Sequence, residues 1–407
     1  MKVALVSLIS PVHNEEKINF SLKEIRSKIK ESFEVEEISS DSIGKKTFEN
    51  YDFVLVFVKS GGTENIFLDF YQFLPRPVYL LSTGLYNSLP AAMEILSFIK
   101  KQGENGKILH GETEIIKDEI KKLAEYKRIR NQIAASKMGV VGRPSDWLIA
   151  SEINYEHASH YWGIDFIDID LQEVELLYND VNDLEAKKIA DRFIKKSLKM
   201  VENSRRDVLS AAKLYLVLEK IVNKYQLDAL TLRCFDLVEK LNTTGCLALS
   251  ELNNNGITAG CEGDIPALFT MYFSKLITGN IPFMANPVKI DKDMDEVIFA
   301  HCTAATDMTE KYILRSHFET GIGVGVQGII KEGPATVLKI GGEGLEQYFI
   351  AEGEIIENPD SPDVCRTQIK LNLPGSADYL LGDPIGNHHI IIPGHHADKI
   401  EEFLGLE

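Results

Sequence analysis

The first third of the chain alternates short apolar runs with segments of helical spacing. The apolar runs are rich in β-branched and aromatic residues: Val3–Ile9, Phe53–Val58 and Val78–Leu81. Between the first two lies Ile18–Ser32, whose apolar residues recur at helical intervals. Continuous apolar strands separated by helices are typical of parallel sheets that are covered on both faces. We therefore predict an open α/β domain over residues 1–136, ending in a long charged helix.

A second alternating unit follows, and the pattern then changes. Residues 137–280 contain short strand-like runs between helical segments, which predicts a second parallel-sheet domain. After Gly279, residues 281–407 consist of β-rich segments punctuated by Gly and Pro, among them Phe283–Ile290, Gly323–Ile330 and His388–Ile392. That pattern indicates an antiparallel barrel or sandwich. The predicted fold class is α/β, with two open Rossmann- or flavodoxin-like domains followed by a β-rich, barrel-like C-terminal domain.

Composition excludes several classes of partner. The 407 residues contain 44 Lys and Arg against 61 Asp and Glu, which gives a net charge of −17. Such a surface repels phosphate groups, so neither nucleic acid nor a membrane is an expected partner. The five cysteines are widely spaced and form no CxxC pattern, and no cleavage site follows the N-terminal apolar run. We therefore expect a reduced, cytoplasmic protein.

Histidines are concentrated near the C-terminal end. Six of the ten lie after residue 300, and His388 and His389 open a predicted strand after a Gly-Asp-Pro-Ile-Gly-Asn turn. Adjacent residues of a strand point to opposite faces, so at most one of these two is expected to bind a given metal ion. The alternative is that they are ordinary surface or core histidines.

Acidic residues follow two predicted strands of the central domain. Asp236 comes after Ala229–Arg233, and Glu262 and Asp264 come after the next strand along the chain. Because the carboxyl ends of parallel strands meet at one edge of the sheet, these carboxylates can converge on a ligand. Two carboxylates and one imidazole suit Mn²⁺ or Mg²⁺. Either aspartate has an alternative role as a helix N-cap, which Pro266 favours for Asp264.

Further polar residues are candidate contacts to a substrate. They lie at strand ends, beside the predicted carboxylates, or in a Gly-rich segment that lacks the strand–helix context of a dinucleotide loop. The alternative is that they are buried polar groups with satisfied hydrogen bonds. The predicted substrate-binding set is Arg233, Glu262, Asn286, His301, His317 and Glu319.

Two segments resemble known sugar isomerases. Gly256–Leu268, with its Cys-Glu-Gly-Asp motif, resembles the metal-binding segment of L-fucose isomerases. Gly386-Asn387-His388-His389, followed by Gly394-His395-His396, resembles the closing segment of the L-fucose and L-arabinose isomerases. The resemblance covers most of the chain in architecture and is motif-specific from about Arg233 onward. It implies metal carboxylates in residues 137–280 and a metal histidine in residues 281–407.

The resemblance also implies a ligand set. Mn²⁺, with Mg²⁺ or Co²⁺ as alternatives, would be bound by Asp236, Asp264 and either His388 or His389. Glu239 is the alternative first carboxylate, because the family usually has Glu where Asp236 stands. One of the two aspartates would also be the catalytic base.

The implied activity is that of a Mn²⁺-dependent aldose–ketose isomerase. In that chemistry the cation chelates two adjacent oxygens of an open-chain sugar and stabilises an enediolate, while a carboxylate moves the proton. The substrate would be a small carbohydrate, and the family implies a homo-oligomer, a trimer or hexamer. A non-catalytic sugar-binding protein and a metal-dependent sugar epimerase are the alternatives.

Overall fold

The computed structural model describes residues 1–406 and divides the chain into two compact units. The first consists of Met1–Asn131 together with the residues from Ile400 on, and the second of Gln132–Lys399. The described residues form two parallel sheets and a closed antiparallel barrel. This confirms the predicted fold class.

The first unit is built on a parallel sheet with the strand order β2-β1-β3-β4-β5. Every residue of β3 is buried, as its unbroken apolar sequence predicts. The strands are β1 (Lys2–Leu8), β2 (Glu34–Ile38), β3 (Phe53–Val58), β4 (Val78–Leu81) and β5 (Gly106–Leu109). The helices that begin in this unit are α1 (Glu15–Ser21), α2 (Lys23–Ser32), α3 (Glu64–Phe70), α4 (Ser88–Lys101) and α5 (Thr113–Ala134).

The second unit opens with another parallel sheet, with the order β7-β6-β8-β9. Its strands are β6 (Lys137–Val141), β7 (Asp165–Ile169), β8 (Ala229–Leu232) and β9 (Thr258–Cys261). Its helices are α6 (Tyr155–Trp162), α7 (Leu171–Asn179), α8 (Asp183–Lys196), α9 (Arg205–Tyr225), α10 (Phe235–Leu241), α11 (Cys246–Asn254) and α12 (Ile265–Thr278). Since all four strands are parallel, their carboxyl ends lie at one edge.

The rest of the second unit contains the barrel, closed in the order β10-β11-β16-β15-β14-β17. Alternate residues of its strands, such as Phe299, Val337 and Ile391, fill the interior. The barrel strands are β10 (Phe283–Asp291), β11 (Glu296–His301), β14 (Gly333–Gly341), β15 (Gln347–Glu357), β16 (Thr367–Asn372) and β17 (His389–Pro393). The last two helices of the chain are α13 (Ser376–Gly382) and α14 (Ala397–Leu404).

One predicted barrel segment lies outside the barrel. Gly323–Ile330 corresponds to β13 (Gly325–Ile330), which pairs with β12 (Thr309–Arg315) in a separate two-stranded sheet. The barrel closes without it because β10 pairs directly with β17.

Helix α12 connects the sheet edge to the barrel. It begins just after β9, and its Thr270 hydroxyl bonds the backbone of Ile340 in β14, with the Ile340 amide donating at 3.0 Å. The turn before α12 is therefore held close to the barrel strands. Among the described residues, no helix combines the length and the apolar character that crossing a bilayer requires.

Candidate metal centre

The turn between β9 and α12 has an unusual backbone. Glu262 and Gly263 both have positive φ, +64° and +72°. A Cβ on Gly263 would lie 2.3 Å from the carbonyl oxygen of Arg143, so only glycine fits here. The Ser145 amide donates to the Glu262 carbonyl at 2.9 Å. A left-handed glutamate is uncommon, and such strain is found most often at functional sites.

The Glu262 side chain meets two imidazoles from the barrel. Its Oε1 lies 3.5 Å from Nε2 of His388 and 3.8 Å from Nε2 of His301. Within residues 1–406, these three side chains form a group whose ligand atoms all lie within 4.8 Å of one another, as binding of one metal ion requires. His388 is fully buried, yet its Nε2 has no hydrogen-bond partner among the described residues. An unpaired buried nitrogen that faces a carboxylate fits a cation ligand.

Each member of this group is oriented by a second side chain. His388 Nδ1 lies 2.8 Å from Oδ2 of Asp264, and His301 Nδ1 lies 2.8 Å from the Thr303 hydroxyl. The Trp147 indole donates to Oε2 of Glu262 at 2.7 Å. The remaining Nε2, Nε2 and Oε1 atoms therefore face one another. Metal-binding histidines are commonly oriented in this way through their other nitrogen.

Asp264 has two roles at once. Its Oδ1 accepts from the Ala267 amide at 2.8 Å, so it is the N-cap of α12, while its Oδ2 holds His388. Asp264, predicted from the sequence as a metal ligand or a helix N-cap, thus caps α12 with one oxygen and holds His388 with the other. Asp264 is fully buried and lies behind His388, on the side away from Glu262.

The electrostatics of the group favour a cation. Burial works to raise the pKa of Glu262, but the nearby imidazoles of His301 and His388 outweigh it and hold that pKa well below its usual range. Burial works to lower the pKa of His388, but Asp264 and Glu262 raise it to about 9. The carboxylates are therefore ionised, and they attract positive charge to the centre.

Of the four predicted metal ligands, only His388 belongs to this group; Asp264 contacts it through Nδ1 of His388, and the other two lie apart from it. His389 points into the barrel, where its Nε2 lies 3.2 Å from the Tyr379 hydroxyl, and burial is the main reason that its pKa falls to about 3. Asp236 accepts from Arg233 at 2.9 Å. Arg233 also forms a two-pronged ion pair with Asp146, which occupies its guanidinium. Of the predicted metal set, the structure brings together Asp264 and His388.

A cavity of about 530 Å³ opens beside the group. Three of the predicted substrate-binding residues line it, namely Glu262, Asn286 and Glu319, together with Trp147, Phe235 and Asn387. The Asn387 amide donates to Asn286 at 3.0 Å. His317 packs edge-on against Phe235 at 5.3 Å between ring centroids, behind the lining. A second cavity, of about 380 Å³, lies in the first unit, and none of the predicted site residues lines it.

Sequence reasoning assigned no role to Trp147 or to Lys339. Trp147 follows β6 in a Gly/Pro/Ser loop. Its position after the carboxyl end of a parallel strand could have indicated a binding role. Lys339 interrupts an otherwise apolar strand, Ala-Thr-Val-Leu-Lys-Ile, yet only 1% of it is exposed. A charged residue inside an apolar strand was the signal there.

Comparison with known proteins gives distant relatives, and no family model matches the chain. A protein of Priestia aryabhattai named sulfoquinovose isomerase is 27% identical over 181 residues, which are 44% of this chain and 40% of that protein. A protein of the same name from Clostridium sp. (strain MSTE9) is 26% identical over 250 residues, 57% of this chain and 54% of that protein. Another from Alkalicoccus urumqiensis is 23% identical over 195 residues, 46% and 43% of the two chains. The chain thus spans 40% to 54% of the length of these relatives.

Proposed function

We propose that this protein is an aldose–ketose isomerase that binds a divalent cation through Glu262, His301 and His388. The observation that carries the proposal is the buried, unpaired Nε2 of His388, which faces Glu262 Oε1 beside a polar cavity. The relatives named sulfoquinovose isomerase support the reaction class. Asp264 takes the role of a positioning residue in this proposal.

We propose Mn²⁺ as the cation because the resemblance to the L-fucose and L-arabinose isomerases implies it and the ligand set can accept it. One carboxylate oxygen and two imidazole nitrogens leave coordination positions open for a substrate. Mg²⁺ prefers oxygen ligands and keeps its waters, so two histidines disfavour it, whereas Co²⁺ accepts the same ligands as Mn²⁺. When bound, the cation would polarise the sugar carbonyl and stabilise the negative charge that develops during proton transfer.

The cavity residues supply the remaining chemistry. The side-chain amides of Asn286 and Asn387 offer hydrogen bonds to sugar hydroxyls, and the rings of Trp147 and Phe235 form an apolar wall for the carbon chain. Glu319 is the cavity carboxylate outside the metal group, so we assign to it the transfer of a proton between adjacent carbons. Asp264, fully buried, and Asp236, paired with Arg233, are less suited to that step.

The central experiment measures metal content and turnover together. The purified protein, loaded with Mn²⁺, is offered a panel of aldoses that includes sulfoquinovose, in D₂O, and the products are analysed by NMR. We expect a ketose that carries solvent deuterium at the exchanged carbon, and loss of turnover in chelator. Epimerised aldose would instead support the epimerase alternative. Sugar binding without any product would support a binding protein.

A matched pair of variants assigns the roles. His388→Ala is expected to lose both the cation and turnover, because it removes a ligand. Glu319→Gln is expected to keep the cation and lose turnover by about 10²-fold or more, as for removal of a general base. Full activity of Glu319→Gln would reject its assignment. The proposal also includes a homo-oligomer, which sedimentation velocity tests.

A further inference from the structure

The loop that follows β6 carries Trp147, yet this loop has no helix or strand of its own. Residues 142–150 lack regular structure, and Gly142 and Arg143 both have positive φ, +85° and +68°. Trp147 is 51% exposed, so burial alone does not fix the position of its ring. Contacts from neighbouring elements must therefore hold this loop in place.

The Arg233 guanidinium makes several of those contacts. Arg233 follows β8, the strand next to β6, and its Nη1 donates to the Pro144 carbonyl at 2.7 Å. Nη1 and Nη2 also donate to the two carboxylate oxygens of Asp146 at 3.0 and 2.9 Å. Nε donates to Oδ2 of Asp236 at 2.9 Å, which fixes the plane of the guanidinium. A planar group with several fixed donors suits this set of acceptors, and a lysine ammonium does not.

The same loop contacts Glu262, the carboxylate of the proposed cation site. The Ser145 amide donates to the Glu262 carbonyl at 2.9 Å, and the Trp147 indole donates to Oε2 at 2.7 Å. The other oxygen, Oε1, lies 3.5 Å from Nε2 of His388. The Trp147 ring packs edge-on against Phe235, with 5.1 Å between centroids, and both rings line the cavity. The position of the loop therefore affects both the orientation of Glu262 and the cavity wall.

We propose that Arg233 is a positioning residue of the cation site. It holds the loop after β6 so that Trp147 bonds Oε2 of Glu262, leaves Oε1 facing the imidazoles, and forms part of the cavity wall. Arg233 thus acts on the site through Trp147 and not by contact with the substrate. This inference rests on the proposed function, because the site that it positions is the proposed cation site.

The first test needs no cation and follows Trp147 itself. The chain has two tryptophans, so in Trp162→Phe the emission comes from Trp147 alone. Asp146→Ala removes both acceptors of the ion pair, and because 85% of the Asp146 side chain is exposed, this change opens no cavity. We expect the fluorescence anisotropy of Trp147 to fall and its quenching by acrylamide to rise, since the loop moves more freely. Unchanged anisotropy and quenching would overturn the inference.

The second test is a double-mutant cycle on the full chain, with Mn²⁺ affinity as the readout. Trp147→Phe removes the hydrogen bond to Glu262, and we expect Mn²⁺ binding to weaken about 10-fold or more, as loss of an outer partner of a metal ligand does. Arg233→Lys keeps the charge but loses the two-pronged pair, so its affinity should fall as well. The double variant should bind no more weakly than Trp147→Phe alone, because Arg233 acts through Trp147. Single variants that bind as tightly as the unaltered protein, or losses that add, would overturn the inference.

A second arginine–aspartate pair of the same unit provides the matched control. Arg205 of α9 pairs with Asp191 of α8, and neither lines the cavity. Asp191→Ala and Arg205→Lys should therefore leave Trp147 emission and Mn²⁺ affinity unchanged.

Two further comparisons keep the outcome decisive. If Arg233→Lys does not fold, Asp146→Ala takes its place in the cycle, and its loss of affinity should likewise not add to that of Trp147→Phe. Failure of the unaltered protein to bind Mn²⁺ would refute the proposed function. The anisotropy test does not depend on Mn²⁺, so it distinguishes that failure from a failure of the positioning role.

Discussion

The two carboxylate oxygens of Asp264 contact different partners, so replacing one of them should break one of the two contacts. Oδ1 caps α12 through Ala267, and Oδ2 holds His388. Asparagine has one oxygen, so Asp264→Asn must give up one of the two bonds. We expect Mn²⁺ affinity to fall about 10- to 100-fold and the free energy of unfolding to fall by about 1 kcal/mol, measured by titration and urea unfolding.

The control for this change is another aspartate at a helix start. Asp170 caps α7 through the Gln172 amide at 2.8 Å and lies outside the metal group. Asp170→Asn should leave Mn²⁺ affinity unchanged. Unchanged affinity in Asp264→Asn as well would contradict the assigned orientation of His388.

Trp147 offers a fluorescence probe of cation binding near Glu262. It is one of two tryptophans, and its indole bonds Glu262, whereas Trp162 is buried elsewhere in the second unit. Mn²⁺ is paramagnetic and quenches nearby fluorophores, so in Trp162→Phe the remaining emission should fall when Mn²⁺ binds. His388→Ala should show no such fall at the same Mn²⁺ concentration. If elemental analysis finds bound Mn²⁺ but the emission does not change, the cation binds elsewhere.

Among the elements of the site, the turn between β9 and α12 is the one that should tolerate substitution least. A Cβ at Gly263 collides with the Arg143 carbonyl, and the positive φ adds strain. We expect Gly263→Ala to lower the free energy of unfolding by more than about 2 kcal/mol and to displace Glu262, with loss of Mn²⁺ binding. Gly279→Ala, at the other end of α12, has a similar φ of +76° but open space around it, so it should cost only about 1 kcal/mol and keep the cation.

Glu402 on α14 gives a pH-dependent prediction. Burial raises its pKa, but hydrogen bonds from Lys107, Lys122 and Tyr126 outweigh this and lower the pKa to about 2. The unfolded chain, with a glutamate pKa of about 4.3, binds more protons, so this stabilisation is present above that pH and is lost as pH falls towards 2. Glu402→Gln should lower the free energy of unfolding by about 0.5–1 kcal/mol at pH 7, and by progressively less as the pH falls into the acid range.

Urea unfolding at several pH values checks this prediction, with the exposed Glu401→Gln as control. A stability difference between Glu402→Gln and the unaltered protein that grows in acid would contradict it.

The elements that the sequence predicted best are the fully buried ones. The apolar runs of β3 and β4 and the long helix α5 were confirmed, since burial on both faces or a sustained period leaves a strong local pattern. The polar strand β2, Glu-Val-Glu-Glu-Ile, was missed because it is a partly exposed edge strand. Strand β12, Thr-Glu-Lys-Tyr-Ile-Leu-Arg, was missed as well, because most of its residues are polar and only partly buried.

For the molecule as a whole, the proposed cation links binding to the stability of one unit. A ligand at 100 times its dissociation constant stabilises the folded state by about 2.7 kcal/mol. Hydrogen exchange should therefore slow in β9 and β17 of the second unit when Mn²⁺ is added, with no change in β1 and β3 of the first unit. His388→Ala serves as the control, in which all four strands should exchange at the metal-free rate. Equal slowing in both units would contradict a cation bound in the second unit.

Residue order alone was enough to predict two parallel sheets and a β-rich, barrel-like third part, because burial and turns leave local patterns in the sequence. Tertiary structure alone decided which atoms meet. His388 contacts Asp264, which lies 124 positions away in the chain. Nε2 of each imidazole faces Glu262 because Nδ1 is already held by another side chain. In the tertiary structure His389 also points into the barrel, His301 lies beside Glu262, and Lys339 is buried. No local pattern encodes such choices, since they arise only when α12 packs against the barrel.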